Sequence, residues 1–335
     1  MTKVLDTVLL LALPASGKSE VRKYLEGLTH EQCATDFHMG ETLQLDDYPY
    51  VHFMHRIDDE LHARGQSYVF YKGPDRPFQN DFEWGTLIEL LNEDYDDLMA
   101  GRITKVPSAS QHLFDRLDCA REKSGLEPAL GMIPYKIRCE IAAVMEEEVA
   151  EELAQKNKTC SMERKGRTVV IEAARGGPNG SAFPLTPPHG YQYSLSKFSN
   201  AILDGAGILY VKVTPDESRK KNIERGKPDG QGSILHHSVP MEVMLGQYGC
   251  DDMEYLLSVT DIPNTVKIER LEVEKDGDES RYVMKKWNLP LGVFDNTDDL
   301  TTFIRKPRDK WEDGEVSSIH NGLKSAFDIL ASRTF

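Results

Sequence analysis

The sequence predicts an α/β fold in three layers, with a central parallel sheet and a large, mostly helical insertion. Apolar runs of strand length occur at 8–11, 167–172 and 207–213, and each is followed by polar or glycine-containing residues. Helical patterns follow the first and the third of these runs. Between residues 68 and 165 the clearest apolar residues recur at helical spacing, which indicates that this part of the chain is an insertion into the sheet.

With 335 residues, 39% of them hydrophobic and 28% charged, the chain has the composition of a globular protein with a sizeable core. Its net charge of −15 argues against general affinity for nucleic acid or an anionic membrane, because both would be repelled by the average surface. The first apolar run is too short to span a bilayer, so a cytoplasmic protein is expected. Five cysteines without a C-x-x-C pair predict reduced thiols.

The loop after the first apolar run carries the strongest functional signal. It consists of Leu13, Pro14, Ala15, Ser16, Gly17, Lys18 and Ser19, and a helical pattern follows it. A loop that opens a helix presents backbone N–H groups without intrahelical acceptors, and the helix dipole adds positive charge there. Such a loop binds phosphate. Lys18 is predicted to reach the outer phosphates, and the Ser19 hydroxyl is predicted to ligate magnesium.

The loop matches the motif G-x-x-x-x-G-K-[ST] with one departure, because Ala12 occupies the first position. Alanine tolerates this position only if its φ is negative there. The alternative is a turn of small residues that contains Gly-Lys-Ser by chance. That alternative would not require an apolar strand immediately before the turn.

Acidic residues follow two of the predicted strands. Thr42–Leu45 is predicted to be a strand that ends at Asp46 and Asp47. Ligands bind at the carboxyl ends of parallel strands, so either aspartate could accept a proton from an attacking hydroxyl or hold magnesium through water. A helix cap or turn is an equally good interpretation, and the sequence does not choose between the two aspartates.

The strand at 167–172 ends at Glu172, which is predicted to order magnesium near the phosphates. Arg175 follows it and is predicted to bind a phosphate or another polar group of the substrate. The segment 176–190 is rich in Gly, Pro and Ser, which favours a loop that moves over the site.

The strand at 207–213 is followed by a strong helix start, with Thr214 as the cap and Pro215 in the first turn. Arg219 and Arg225 of this helix are predicted to stabilise negative charge in a phosphoryl transition state. An ordinary solvated helix surface is the alternative. Residues 215–240 are expected to form a second lid.

Three further elements are predicted near the C-terminus. A hairpin is expected between 264 and 287, a final strand is expected to end at 295–297, and an amphipathic helix is expected from 316 to 330.

Together these features resemble the nucleoside and nucleoside monophosphate kinase branch of the P-loop NTPases. The loop at 13–19 is the most specific part of the resemblance. The resemblance implies a P-loop NTPase fold, with residues 1–67 and 166–335 as the core and residues 68–165 as the insertion. It also implies that Arg219 and Arg225 act as lid arginines.

The resemblance further implies that the segment Asp295, Asn296 and Thr297 touches the adenine of ATP. The function expected from these features is an ATP- and magnesium-dependent phosphotransferase acting on a small molecule such as a nucleoside, a nucleotide or a sugar. The alternative is an NTP-hydrolysing switch or assembly protein whose insertion binds a protein partner. Neither nucleic acid nor a membrane is an expected partner, and the oligomeric state stays open.

Overall fold

A computed structural model describes residues 3–226, 238–276 and 279–334 of the chain. The chain divides into two compact units, a larger one formed by Met1–Thr42 with Gly166–Phe335 and a smaller one formed by Leu43–Lys165. The sequence analysis placed the start of the insertion at residue 68, whereas the smaller unit begins at Leu43. Part of the predicted second lid, residues 227–237, lies outside the described residues.

The strands are β1 (Thr7–Leu11), β2 (Glu41–Asp46), β3 (Arg167–Ala173), β4 (Ala206–Lys212), β5 (Thr265–Asp276) and β6 (Glu279–Asp295). The helices of the described residues are α1 (Lys18–Glu26), α2 (His30–Asp36), α3 (Tyr48–Ala63), α4 (Glu83–Ala100), α5 (Ala109–Lys123), α6 (Tyr135–Cys160), α7 (Gly190–Lys197), α8 (Asn200–Leu203), α9 (Pro215–Arg225), α10 (Met241–Gln247), α11 (Met253–Ser258) and α12 (Asp313–Thr334).

The six strands form one sheet in the order β2-β3-β1-β4-β6-β5. β1 pairs in parallel with β3 and β4, and β4 pairs in parallel with β6, whereas β5 and β6 are antiparallel. The predicted α/β class is therefore confirmed. The sheet is mixed and mostly parallel because the predicted hairpin belongs to it.

The hairpin and the final strand, predicted as separate elements, share the single long strand β6. The first part of β6 pairs with β5, and Leu291–Asp295 pairs with β4. Pro290 lies within β6, although proline lacks a backbone donor. It lies opposite Thr265, the first residue of β5, where the pairing of β5 with β6 ends.

The alternating side chains of the central strands pack against helices on both faces of the sheet. On one face, Leu10 of β1 and Leu209 of β4 join a buried cluster with residues of α1 and α12. On the other face, the Tyr210 ring lies 6.4 Å from the Tyr191 ring of α7, centroid to centroid. This arrangement follows from the twofold alternation of strand side chains. The sheet thus has helices on either side of the β1 and β4 strands.

The smaller unit contains helices α3 to α6, as the sequence pattern predicted for α4, α5 and α6, and it buries several charges. Asp94 accepts hydrogen bonds from Tyr50 Oη (2.5 Å) and Arg116 Nη2 (2.7 Å), and Lys156 Nζ lies 2.7 Å from it. Arg121 forms a buried ion pair with Glu83. Such charges are tolerated in an interior because each one has an opposite partner.

None of the helices within the described ranges combines the length and the apolar composition needed to cross a bilayer. The short helices α2, α7, α8, α10 and α11 were not predicted. A helix of four to eight residues has one or two turns, so its sequence shows too little periodicity to be recognised.

Candidate functional site

The predicted phosphate loop lies between a buried strand and the start of α1. All five residues of β1 are buried, and Gly17 is the residue before the first turn of α1. Gly17 has φ = 100°, a left-handed value that favours glycine. The backbone N–H of Val21 donates to Gly17 O at 2.9 Å, which closes the first turn. The N–H groups before it lie at the helix N-terminus, where an α-helix offers them no acceptor.

Ala12 does not have a positive φ, so alanine meets the condition set by the sequence analysis. Its side chain is fully buried in the core cluster that includes α1 and α12. Ala15, with φ = 54°, is the second left-handed residue of the loop. The sharp turn of this loop therefore falls at residues 15 and 17, and the missing glycine at position 12 does not distort it.

Lys18 and Ser19, the residues predicted to contact phosphate and magnesium, are half-buried in the first turn of α1. Among the described residues, none forms an ion pair or hydrogen bond with Lys18. The Ser16 hydroxyl is buried and also has no hydrogen-bond partner in this part of the chain. A buried hydroxyl without a partner is costly, so this atom is suited to a ligand oxygen.

Glu172 lies on β3, opposite Leu10 of β1, and is only 5% exposed. Its Oε1 accepts a hydrogen bond from Arg22 Nη1 of α1 at 2.8 Å. No local pattern in the sequence indicates that Arg22 is a partner of this carboxylate, because the two residues are 150 positions apart. Within the described ranges, no group of three or more His, Cys, Asp or Glu side chains could hold a metal ion.

The predicted lid helix α9 begins as expected, since Glu217 N donates to the Thr214 hydroxyl at 3.1 Å. At the other end of α9, Arg225 Nη2 lies 3.7 Å from Glu20 Oε2 in the first turn of α1. Arg305 Nε donates to Glu20 Oε1 at 2.7 Å. Burial lowers the pKa of the Arg225 guanidinium, and the nearby Glu20 carboxylate opposes this effect. The structure thus places Arg225 beside the helix that follows the phosphate loop.

Arg219, the other predicted lid arginine, pairs with Asp216 of its own helix. Its Nη1 also lies 3.4 Å from Asn179 Oδ1 and 3.4 Å from Gly249 O. Arg219 therefore contacts the segment 176–190, which the sequence analysis interpreted as a lid. The two predicted arginines face different surroundings.

The segment 176–190 is hydrogen-bonded to the chain just before α11. Gly177 N donates to Cys250 O at 2.8 Å, and Asn179 N donates to Leu245 O at 2.8 Å. Arg175, just before it, is 2% exposed, and its Nη1 donates to Ala174 O at 2.7 Å. The first part of this segment is thus a fixed part of the fold, and Arg175 is a buried residue.

Asn296, for which an adenine contact is predicted, is a buried residue directly after β6. It is 0% exposed, and its Nδ2 donates to Ser16 O in the phosphate loop at 2.7 Å. Asp295 Oδ1 accepts hydrogen bonds from Thr297 N (3.0 Å) and Thr297 Oγ1 (2.7 Å), which close a local turn. Desolvation raises the pKa of Asp295, but these hydrogen bonds outweigh it, so the pKa is lowered. Asn296 therefore holds the loop itself, while Thr297 is half-buried.

Asp46 and Asp47 belong to the smaller unit. Asp46 Oδ1 accepts a hydrogen bond from Tyr48 N at 2.8 Å, and Asp47 is the residue that precedes α3. Asp47 is 8% exposed. Asp46 therefore forms a local turn at the start of α3, as the cap interpretation expected. Their role as an acceptor base stays a prediction.

Asp251 is a half-buried acid on the face of the sheet opposite α1, and it was not among the residues predicted from the sequence. Its carboxylate accepts hydrogen bonds from Tyr210 Oη at 2.8 Å and from Met253 N at 3.0 Å. Burial raises the pKa of Asp251 to about 6. The sequence signal was the pair Asp251-Asp252 after Gly249, although such a pair is common in loops.

Because folding raises this pKa from about 4, the protonated form of Asp251 is favoured in the folded chain. Its contribution to stability is fully present below about pH 4 and is lost as the pH rises through about 6, a change of about 3 kcal/mol. Asparagine does not titrate, so Asp251→Asn lacks this loss of stability. Between about pH 4 and pH 7, we expect the free energy of unfolding of the unsubstituted chain to fall by about 3 kcal/mol more than that of Asp251→Asn. Urea denaturation at both pH values measures it, and equal pH dependence in the two proteins would contradict it.

The difference in pH dependence between Asp251→Asn and the unsubstituted chain reports Asp251 alone, because the other acids are the same in both proteins. Burial also raises the pKa of Asp58 to about 6 and that of Glu83 to about 7, and both act in the same direction. The amide introduced at position 251 can donate to the Tyr210 hydroxyl while its oxygen accepts from Met253 N, so the local hydrogen bonds survive.

Comparison of this chain with protein-family models, with curated proteins and with solved structures finds no match.

Proposed function

We propose that this protein is an ATP- and magnesium-dependent phosphotransferase that acts on a small molecule, with the three-layer fold of a P-loop NTPase. The observation that carries the proposal is the turn between β1 and α1. There the left-handed Gly17 is followed directly by Lys18 and Ser19 in the first helical turn. A loop of this shape aims backbone N–H groups and a lysine at one point, which suits a polyphosphate.

The order of the strands supports this position for the site. β1 lies between β3 and β4 in the sheet. After β1 the chain continues to β2, at one edge of the sheet, whereas after β4 it continues to β5 and β6, at the other edge. In open α/β sheets the crevice between two such strands, at their carboxyl ends, is where ligands bind. The phosphate loop begins directly at the carboxyl end of β1.

The residues present fit a bound triphosphate. The buried Ser16 hydroxyl has no partner among the described residues, and Lys18 has no ion-pair partner there. Residues 13–19 would hold the phosphates through their backbone N–H groups and the Lys18 ammonium. Ser19 and Glu172 would contribute to binding magnesium, with phosphate and water oxygens as the other ligands. Bound magnesium neutralises charge that develops on the transferred phosphoryl group.

The remaining predicted residues have roles in this proposal that depend on the substrate. Arg219, Arg225 and Arg175 would balance the negative charge of the transferred group. Arg225 would then exchange its contact with Glu20 for a phosphate oxygen.

A second candidate function is an NTP-hydrolysing protein whose smaller unit binds a protein partner. One observation favours it. Met132, just before α6, is 79% exposed, and Tyr135, the first residue of α6, is 81% exposed. Large exposed apolar side chains are typical of surfaces that bind other proteins. A partner would then stimulate hydrolysis in place of a small acceptor.

Calorimetric titration with ATP and magnesium tests the shared part of both functions. A screen of nucleosides, nucleotides and sugars for ADP release above the background with water then separates them. Stimulation by one class of small molecule supports the phosphotransferase. Hydrolysis that no small acceptor stimulates contradicts it and leaves the second candidate, whereas absence of nucleotide binding contradicts both.

Glu172→Gln is expected to leave ATP affinity within about threefold of the unsubstituted value and to lower turnover by about 100-fold. The amide is similar in shape but lacks the charge that helps to order magnesium. The control is Glu26→Gln, because Glu26 is the other carboxylate near Arg22, 3.7 Å from its Nε, and is exposed. Steady-state ADP release measures both variants. Equal turnover in Glu172→Gln and the control would remove Glu172 from the mechanism.

A further inference from the structure

Two backbone carbonyl oxygens of the phosphate loop accept hydrogen bonds from side chains of other elements. Asn296 Nδ2 donates to Ser16 O at 2.7 Å. Ser218 Oγ, on α9, donates to Pro14 O at 2.7 Å. Both side chains are 0% exposed, and the hydrogen bond from Asn296 is fully buried, so water does not compete for it.

Asn296 is itself fixed in one orientation. Its Nδ2 also donates to Thr301 Oγ1 at 2.9 Å, and its Oδ1 accepts from Leu300 N at 2.7 Å. Its backbone N–H donates to Lys212 O at 2.9 Å, at the end of β4. The side chain therefore cannot rotate without breaking several hydrogen bonds. The turn at 296–301 presents a rigid donor to the loop.

Ser218 connects the loop to the same turn through α9. Lys221, one helical turn along α9 from Ser218, lies with its Nζ 2.8 Å from Asp299 Oδ1. Lys221 is 4% exposed. The phosphate loop, the turn at 296–301 and α9 are thus tied to one another in a closed set of contacts within the larger unit.

These two hydrogen bonds fix the directions of two N–H groups. In a trans peptide group the C=O and the following N–H lie in one plane and point in opposite directions. Holding Ser16 O therefore aims the N–H of Gly17 away from Asn296. Holding Pro14 O aims the N–H of Ala15 away from Ser218.

We propose that Asn296 and Ser218 are positioning residues that orient the Gly17 and Ala15 N–H groups towards the bound phosphates. The inference rests on the proposed function, because it assigns those N–H groups to a nucleotide. It also makes the shape of the phosphate loop depend on α9, which carries Arg219 and Arg225.

The test compares Asn296→Asp and Ser218→Ala with the control Asn157→Asp, all in the full chain. Asn157 makes the same pair of backbone hydrogen bonds, with Nδ2 donating to Thr104 O and Oδ1 accepting from Thr104 N, both at 2.8 Å. It belongs to the smaller unit. Three quantities are measured for each protein: the Kd for magnesium ADP by calorimetry, the midpoint of urea unfolding without nucleotide, and the amide hydrogen exchange rate of Val21, whose N–H donates to Gly17 O.

Asn296→Asp is expected to weaken magnesium ADP binding at least 10-fold and Ser218→Ala about 5-fold, while Asn157→Asp stays within about 2-fold. Without nucleotide, both loop variants should exchange the amide of Val21, which donates to Gly17 O at 2.9 Å, at least 10-fold faster than the control does. A loss of stability without a positioning role would lower the unfolding midpoint in the control as well as in the loop variants. The affinity and the local exchange together therefore distinguish positioning from stability.

Unchanged affinity in both loop variants, or an equal loss of affinity in Asn157→Asp, would overturn the inference. If the unsubstituted chain binds no nucleotide, the proposed function is wrong. The exchange rates then decide the positioning role alone, and unchanged rates overturn it. If Asn296→Asp does not fold, Thr301→Val replaces it, because it removes the hydroxyl that orients Asn296 at nearly the same volume. It is expected to weaken binding about 3-fold, and no weakening would count against the inference.

Discussion

Lys18→Ala is expected to weaken ATP binding at least 100-fold and to abolish turnover. Lys18 lies in the first turn of α1, directly after the left-handed Gly17. Of the charged side chains in this turn, its ammonium group is the one without an ion-pair partner among the described residues. A charge-assisted hydrogen bond to phosphate contributes about 3 kcal/mol, which corresponds to a factor above 100 in the dissociation constant. Calorimetric titration with magnesium ATP measures the change.

The matched control is Lys23→Ala, which removes an exposed lysine from the last turn of the same helix. It is expected to change ATP affinity less than 2-fold. Both variants should keep their free energy of unfolding within about 0.5 kcal/mol, because neither lysine is buried in the core. ATP affinity in Lys18→Ala equal to that of the control would contradict the phosphate site, and with it the proposed phosphotransferase.

Gly17→Ala is expected to lower the free energy of unfolding by about 3 kcal/mol and to remove nucleotide binding. A Cβ at this position would lie 2.5 Å from Thr301 Oγ1 and 2.7 Å from Asn296 Nδ2, closer than real Cβ contacts. The left-handed φ of 100° adds about 1–2 kcal/mol for a residue with a side chain, and displacing packed atoms adds a similar amount. Urea denaturation and titration with magnesium ADP measure the two effects.

The control for this prediction is Gly65→Ala. Gly65 also has a positive φ, 71°, but a Cβ there would have no atom within 4 Å. It therefore isolates the backbone cost, expected at about 1 kcal/mol, from the clash with Thr301 and Asn296. If Gly17→Ala lowers the free energy of unfolding no more than Gly65→Ala does, the turn at 296–301 does not pack against Gly17 as closely as the structure indicates.

The strand, loop and helix at the start of the chain were predictable because their signals are local. The apolar run before the loop, the glycine at residue 17 and the cap at Thr214 each act within a few residues. Backbone sterics, helix capping and apolar periodicity operate over the same short distances. This is why β1, α1 and α9 formed where the sequence predicted them.

Pairings across the fold were not predictable in this way. Glu172 had a clear place at the end of a strand, but its partner Arg22 lies 150 residues away in the chain. Asn296 was selected for a contact with adenine, whereas it reaches back 280 residues to hold Ser16 O. The strand order decides both partners, and one sequence pattern fits several strand orders.

The sequence by itself determined the α/β class and a loop with the residues of a phosphate site. It did so because those features depend on short-range sterics and on the period of apolar residues. Only the tertiary structure decided that β5 joins the sheet in antiparallel fashion, that Arg22 neutralises Glu172, and that Asn296 and Ser218 hold the loop. Contacts of this kind form between residues far apart in the chain, whose identities are compatible with many partners until the core packs.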